Sequence, residues 1–314
     1  MLNLAQCLQQ HYIQHPNKTV LVIQHAGKLD QPLTCAEFLS GAAAYAQAYQ
    51  QAGLQPGEVI VLILQHGRDL VSAFWGTILH GSIPSIMPFL TEKLQPERYR
   101  SDLAALIEIT RPAAIVTYPE FRNEVQSALA AETPVRIVLT CESVSAHTPD
   151  LLTPDFASLS GIQRHPDEIT LLQHSSGTTG LQKGVALSHQ SVLNQVESYS
   201  HVLGFTSQDV VVSWLPLYHD MGLIAGFVMP ILAGAQLVLM SPFDWVRAPY
   251  RLLQSISHYR GTFTWLPNFA YNFCAAKVRD RDLAGVDLSC LRAVINCSEP
   301  VRWESHQRFS ERFA

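Results

Sequence analysis

The sequence predicts an α/β fold with mostly parallel sheets. Short apolar runs alternate along the chain with longer segments of helical period, and strand–helix–strand units with right-handed crossovers generate a parallel sheet. The runs are continuously apolar, most clearly at residues 59–64 (Val-Ile-Val-Leu-Ile-Leu), which is typical of strands buried on both faces. Hydrophobic residues make up 47% and charged residues 15% of the 314 residues, a composition that supports a large core and excludes a disordered chain.

The elements can be placed in order from the N-terminus. Apolar runs predict strands over residues 19–24, 59–64, 82–87, 113–117, 135–140, 185–187, 210–214, 236–240, 262–266 and 291–296. Segments of helical period predict helices near residues 4–8 and over residues 34–52, 69–80, 96–110, 188–203, 249–259, from 267 onward and 304–314. Residues 141–164 are rich in Ser, Pro, Thr and Asp, which marks an internal boundary. We therefore predict a first α/β subdomain over residues 1–160 and a second over 161–314, within one larger domain.

Charge and cysteine usage exclude several classes of protein. The net charge of -5 leaves no basic footprint for nucleic acid. The six cysteines are scattered without a C-x-x-C pair, so neither a disulfide framework nor a zinc site is predicted, and no metal ligand is assigned. The N-terminus lacks the basic start and apolar core of a signal peptide, so we expect a cytoplasmic protein.

Residues 223–240 form an apolar run long enough to suggest a membrane span. Gln236 is its one clearly polar residue, but Gly226, Pro230 and Gly234 interrupt it. These breaks favour a buried helix of about a dozen residues followed by the strand at 236–240. We therefore expect no transmembrane segment.

The most informative stretch is a polar loop between the apolar runs of residues 171–189. Glycines let successive backbone N–H groups point inward, while hydroxyl groups and one lysine add donors, which suits phosphate oxygens. The candidate donors are Ser175, Ser176, Gly177, Thr178, Thr179, Gly180 and Lys183. The spacing fits neither a Walker loop nor a dinucleotide fingerprint, and Val185 begins a strand, so the loop joins two strands. A solvated hairpin turn is the alternative.

Two more polar segments follow the ends of predicted strands. Residues 214–222 (Trp-Leu-Pro-Leu-Tyr-His-Asp-Met-Gly) place an aromatic ring, an imidazole and a carboxylate in one loop, a position from which residues often face a cleft. Without this context, a histidine such as His219 is more often a hydrogen-bonded structural residue than a catalytic one. Residues 296–302 leave the last strand at a favoured ligand position. Between the two segments, the aromatic residues of 269–273 are predicted to be core.

In fixed order, residues 175–184, 214–222 and 296–302 resemble the successive signature motifs of adenylate-forming enzymes, the group of acyl and aryl CoA synthetases, luciferases and nonribosomal adenylation domains. With residues 267–271 (Pro-Asn-Phe-Ala-Tyr), the second segment resembles most closely the fatty acyl-AMP ligases. The resemblance covers nearly the whole chain. It implies the layered αβαβα N-terminal domain of that family, incomplete at its C-terminal side and without the small C-terminal domain.

In that family a carboxylate attacks the α-phosphate of ATP, pyrophosphate leaves, and a thiol later captures the acyl adenylate. The resemblance implies that the loop donors bind the β- and γ-phosphates, that Lys183 and His219 are catalytic, and that His219 orients the carboxylate and the α-phosphate. The residues implied for the adenine pocket are Ser298, Glu299 and Pro300, which would line it largely through backbone contacts. The residues implied for the acyl site are Trp214, His219, Asn268, Phe269 and Tyr271.

The resemblance also implies partners. ATP and Mg²⁺ are the expected cofactors, with the magnesium glutamate and the catalytic lysine of the C-terminal domain beyond Ala314. The chain is thus expected to be the larger part of a longer enzyme's N-terminal domain, nearly inactive alone. The substrate is a fatty or similar carboxylic acid, and the acceptor an acyl carrier protein. Coenzyme A as acceptor, or a non-catalytic nucleotide-binding fragment, are the alternatives.

Overall fold

The computed structural model describes residues 2–89, 95–145, 154–175 and 183–314. By their internal contacts they form two compact units, Met1–Asn17 with Cys35–Gln195 and Lys18–Thr34 with Val196–Ala314. The subdomain boundary predicted at residue 160 therefore falls inside the first unit. The reason is that the strand Ile169–Ser175 joins the first unit's sheet, where it pairs in parallel with Ile83–Ile86.

The described residues form twelve strands and thirteen α-helices. The strands are β1 (Thr19–Gln24), β2 (Gln31–Thr34), β3 (Val59–Ile63), β4 (Ile83–Ile86), β5 (Ala114–Thr117), β6 (Ile137–Thr140), β7 (Ile169–Ser175), β8 (Lys183–Ser188), β9 (Val210–Ser213), β10 (Gln236–Met240), β11 (Phe263–Pro267) and β12 (Ala293–Cys297). The helices are α1 (Leu4–Gln14), α2 (Cys35–Gln51), α3 (Arg68–His80), α4 (Pro96–Thr110), α5 (Arg122–Ala128), α6 (Cys141–Ser145), α7 (His189–Leu203), α8 (Asp220–Leu223), α9 (Met229–Leu232), α10 (Pro242–Arg247), α11 (Tyr250–Tyr259), α12 (Asn268–Lys277) and α13 (Trp303–Phe313).

Each unit is built on a six-stranded sheet. The first sheet has the order β6-β5-β3-β4-β7-β8, and the second has the order β12-β11-β9-β10-β1-β2. Neighbouring strands are parallel except at one end of each sheet, where β7–β8 and β1–β2 are antiparallel. This confirms the predicted α/β fold with mostly parallel sheets. Strand β2, a short edge strand that contains Pro32, was not predicted, because proline weakens a strand signal and is tolerated mainly at sheet edges.

In the first unit, helices cover the sheet with close contacts. Val61 and Ile115 of β3 and β5 form one hydrophobic cluster with Leu103 of α4. Helices α2 and α3 approach so closely that a Cβ atom at Gly76 would lie 2.5 Å from the carbonyl oxygen of Ala42. This sheet and its helices hold the backbone that leads into the predicted phosphate loop.

The apolar run at residues 223–240 folds as predicted. Helix α8 continues through a π-helical turn (Ile224–Val228) into α9, and strand β10 follows. Within the ranges that the structure describes, no helix is both long and apolar enough to cross a membrane. The six cysteines are all free thiols.

Candidate active site

Strands β7 and β8 form an antiparallel hairpin whose register runs from Ile169 opposite Ser188 to Ser175 opposite Lys183. The prediction that the phosphate loop joins two strands is therefore confirmed. Ser175 and Lys183 are the last backbone pair before the loop. The loop residues Ser176, Gly177, Thr178, Thr179 and Gly180 lie outside the described residues, and their phosphate contacts stay a prediction.

His174, which is not among the predicted site residues, stands directly before this loop. His174 of β7 places Nε2 2.5 Å from Oγ of Ser85 on β4, and Ser85 is fully buried. Burial lowers the pKa of His174, so its imidazole is neutral near pH 7, and its tautomer decides whether Nε2 accepts the hydroxyl hydrogen of Ser85 or donates to Oγ. This bond joins the two neighbouring strands just where the loop begins.

In the second unit, the remaining predicted site residues lie at one edge of the sheet. Strands β1, β10, β9, β11 and β12 are mutually parallel, so their carboxyl ends share an edge. Three of the predicted segments begin there: Trp214 follows β9, Asn268 follows β11 and Ser298 follows β12. The carboxyl edge of a parallel sheet is where ligands bind in open α/β folds.

The loop after β9 holds His219 at the start of α8. Its backbone N–H donates to the carbonyl oxygen of Pro216 (3.2 Å), and the ring lies tilted against Tyr218 with centroids 4.8 Å apart. Gly222 closes the loop tightly, because a Cβ atom there would lie 2.1 Å from the Pro216 oxygen. No other residue fits at Gly222 unless the loop that carries His219 shifts.

His219 combines exposure with a neutral ring. The residue is exposed, yet partial desolvation by neighbouring protein atoms lowers the pKa of its imidazole, and the Asp220 carboxylate opposes that effect. A neutral imidazole can donate one hydrogen bond and accept another. His219 is therefore accessible to a ligand and able to orient it.

Trp214 belongs to an aromatic cluster at the same edge. It is buried and stacks on Trp245 of α10, with centroids 3.6 Å apart and planes 6° from parallel. Phe269 meets both indoles edge-on, at 6.2 Å from Trp214 and 6.1 Å from Trp245. The prediction that Phe269 is core is wrong, because 47% of it is exposed: it covers the stack and turns one face outward.

Tyr271 and Asn268 face the interior instead. Tyr271 is 1% exposed, as the core prediction for it required, and its hydroxyl donates to the carbonyl oxygen of Val294 (3.1 Å). Asn268 is buried, and its Oδ1 accepts the backbone N–H of Arg302 (3.1 Å). Of the residues predicted for the acyl site, His219 and Phe269 are thus exposed, whereas Trp214, Asn268 and Tyr271 are buried.

The turn after β12 has an unusual backbone. Ser298 has φ 64°, a left-handed conformation that few residues other than glycine adopt. The N–H of Glu299 donates to the carbonyl oxygen of Cys297 (2.8 Å), which makes a tight three-residue turn. Burial raises the pKa of the Cys297 thiol, a hydrogen bond with Ser298 opposes that effect, and the negative charges of Asp220 and Glu299 reinforce it.

Comparisons with known proteins show the family to which the chain belongs. A family model described as "AMP-binding enzyme" matches residues 8–314. The chain is 30% identical over 317 residues to the long-chain-fatty-acid–AMP ligase FadD26 of Mycobacterium bovis, a match that covers 98% of this chain and 52% of that protein. It is 27% identical over 311 residues to the medium-chain-fatty-acid–[acyl-carrier-protein] ligase JamA of Moorena producens, covering 97% and 50%.

A solved structure shows the same fold. The crystal structure of a fatty acyl-adenylate ligase from L. pneumophila in complex with acyl adenylate and pyrophosphate matches with a TM-score of 0.84 at 26% identity, covering 98% of this chain and 52% of that one. The chain belongs to the AMP-binding enzyme family, and it spans about half the length of these relatives.

Proposed function

We propose that the protein activates a fatty or related carboxylic acid with ATP, forming acyl-AMP and releasing pyrophosphate. The observation that carries this proposal is the match to FadD26, named a long-chain-fatty-acid–AMP ligase, over 98% of the chain. The exposed His219 and the strained turn at Ser298, both at the carboxyl edge of one sheet, support it. A cytoplasmic site of action is part of the proposal.

The reaction requires control of charge and geometry. A carboxylate oxygen bonds to the α-phosphorus while the bond from that phosphorus to the bridging oxygen of the β-phosphate breaks, and pyrophosphate leaves with the electron pair. Ser175 to Gly180 and Lys183 hold the β- and γ-phosphates in this proposal, because backbone N–H groups, hydroxyls and an ammonium group offset charge on the departing oxygens.

Mg²⁺ is included in the proposed function as the cofactor expected together with ATP. Mg²⁺ prefers carboxylate, water and phosphate oxygens. In the described ranges, no three His, Cys, Asp or Glu side chains lie together as a metal site would require. The described residues therefore supply no acidic cluster for the ion.

His219 orients the two reacting groups. As a neutral imidazole it donates to one oxygen of the carboxylate or the α-phosphate, which holds the attacking atom in line with the leaving group. Ser298, Glu299 and Pro300 line adenine through the backbone of their turn. On the acyl side, Phe269 offers the exposed apolar contact, while Trp214, Asn268 and Tyr271 hold the wall behind it.

The test is formation of acyl-AMP from α-³²P-labelled ATP and dodecanoate by the protein that contains this chain. We expect pyrophosphate and acyl-AMP in equal amounts, and a rate about a hundredfold lower in His219→Ala. His258→Asn, an exposed histidine on α11, is the control. Formation of ADP, or an unchanged rate in His219→Ala, contradicts the proposal.

The proposed acceptor is the phosphopantetheine thiol of an acyl carrier protein, because JamA is named a ligase to such a carrier. Coenzyme A is the alternative, since it carries the same thiol. Separate reactions with holo-carrier protein and with coenzyme A distinguish the two. Transfer to the carrier alone supports the proposal, and faster transfer to coenzyme A overturns it.

A further inference from the structure

Two reciprocal hydrogen bonds join the start of α12 to the turn after β12. The Oε2 atom of Glu299 accepts the backbone N–H of Phe269 (2.8 Å). In return, Oδ1 of the adjacent Asn268 accepts the backbone N–H of Arg302 (3.1 Å). Each segment thus supplies one side chain and one backbone donor to the other, and the residues between Glu299 and Arg302 are bracketed at both ends.

The bracketed turn needs such support. Ser298 holds a left-handed φ of 64°, which a residue with a Cβ atom keeps only where its surroundings impose it. The local hydrogen bond from Glu299 N–H to the Cys297 oxygen closes the turn but does not connect it to another element. Among the hydrogen bonds of the described residues, the Glu299 and Asn268 bonds supply that connection.

A second layer fixes Asn268 itself. The Nδ2 group of Asn296 lies 3.4 Å from Oδ1 of Asn268 and 2.9 Å from Nε2 of His306. The His306 ring packs on Tyr271 with centroids 4.4 Å apart. Because an amide nitrogen only donates, Nε2 of His306 is the acceptor, and α13 takes part in holding the Asn268 side chain.

We propose that Asn268 and Glu299 are positioning residues that lock the turn at residues 298–300 to the first turn of α12. This rests on the proposed function, in which the turn lines adenine and Phe269 contacts the acyl chain. The lock keeps these two surfaces at a fixed spacing, so that both halves of one acyl adenylate are bound together. The Glu299 carboxylate acts on the Phe269 N–H and not on the nucleotide.

This role differs from a ligand contact in its chemistry. A positioning carboxylate needs only an acceptor oxygen, so Glu299→Gln, whose amide oxygen can accept the same N–H, retains function. A carboxylate that binds the ligand through its charge loses function in the same variant. Breaking either of the two bonds frees the turn, so the two alanine variants are expected to be non-additive.

The first experiment measures binding of dodecanoyl-sulfamoyl-adenosine, a stable mimic of acyl-AMP, by calorimetry. We expect Asn268→Ala and Glu299→Ala each to weaken binding about tenfold, the double variant to weaken it little further, and Glu299→Gln to stay within about threefold of the parent chain. Asn272→Ala is the matched control, because Asn272 lies one turn along α12 and bonds Ser305 of α13 (2.8 Å) but not the turn.

The second experiment separates this inference from the proposed function. Amide hydrogen exchange, which needs no ligand, is measured over residues 268–272 and 297–302. Faster exchange of both segments in Asn268→Ala and Glu299→Ala, but not in Asn272→Ala, supports the lock even if the mimic fails to bind. Unchanged exchange, unchanged affinity in both alanine variants, or equal losses in Glu299→Gln and Glu299→Ala overturns it.

Discussion

The indole of Trp214 lies flat on the indole of Trp245, with ring centroids 3.6 Å apart and planes inclined by 6°. Trp214 directly follows strand β9 and Trp245 belongs to α10, so the stack ties the start of the His219 loop to a helix beyond strand β10. Stacked rings of this size bury a large apolar area and hold one geometry. The stack therefore gives the proposed acyl side a rigid wall.

Trp245→Ala should destabilise the protein strongly. Trp245 is fully buried, and replacing such a side chain leaves a cavity that costs about 3–5 kcal/mol. Urea unfolding measures the loss. Val246→Ala, at a 49% exposed position of the same helix, is the control and should change the free energy of unfolding by less than about 1 kcal/mol. Equal effects of the two variants would show that the stack contributes no stability.

Gly222→Ala should displace the His219 loop. The added Cβ atom would overlap the Pro216 oxygen at 2.1 Å, so the loop must move, and we expect a destabilisation of about 1–3 kcal/mol. Thermal unfolding provides the measurement. At Gly184, the nearest atom to an added Cβ is 3.9 Å away, so Gly184→Ala should be tolerated in the same assay. If Gly222→Ala is as stable as Gly184→Ala, the backbone at residue 222 does not lie as close to the Pro216 oxygen as described.

His189 should make stability depend on pH. It is 2% exposed and its Nδ1 accepts the N–H of Leu4 (3.2 Å). Burial lowers the pKa of His189 from 6.5 to about 4, the charge of Arg164 acts in the same direction, and Glu168 opposes it. The unfolded chain therefore binds the proton more tightly, and the free energy of unfolding falls as the pH drops from 6.5 towards 4, by up to about 3 kcal/mol.

His189→Asn tests this dependence. The Oδ1 atom of asparagine can accept the same N–H without titrating. The free energy of unfolding of this variant should therefore change less between pH 6.5 and pH 4 than that of the parent chain. His258→Asn, at an exposed site, should follow the parent chain. If the free energy of unfolding of His189→Asn falls with pH as steeply as that of the parent chain, other groups cause the acid sensitivity.

The fold was largely predictable because its elements leave local signals. Continuous apolar runs located the central strands, and the helix predicted over residues 96–110 is α4 (Pro96–Thr110). Strand β2 was not predicted because an edge strand buries few side chains and therefore lacks a continuous apolar run. The exposure of Phe269 could not be predicted, because it depends on the packing of Trp214 and Trp245 from distant parts of the chain.

The site was predictable only in part for the same reason. The loop before β8, His219 and the turn at residues 298–300 were found from sequence segments whose order resembles one family. The bond between His174 and Ser85 spans 89 positions, and that between Asn268 and Arg302 spans 34. Such partners carry no joint sequence signal, although the place of His174 directly before the glycine-rich loop was a clue.

The most direct test of acyl adenylate formation is to measure whether a carboxylate oxygen of the fatty acid is transferred to AMP. The protein that contains this chain is supplied with ATP, an acyl acceptor and a fatty acid labelled with ¹⁸O in its carboxylate, and the products are analysed by mass spectrometry. If the carboxylate attacks the α-phosphate, each AMP released after acyl transfer carries one ¹⁸O atom. Label in inorganic phosphate together with ADP, or AMP without label, would contradict acyl adenylate formation.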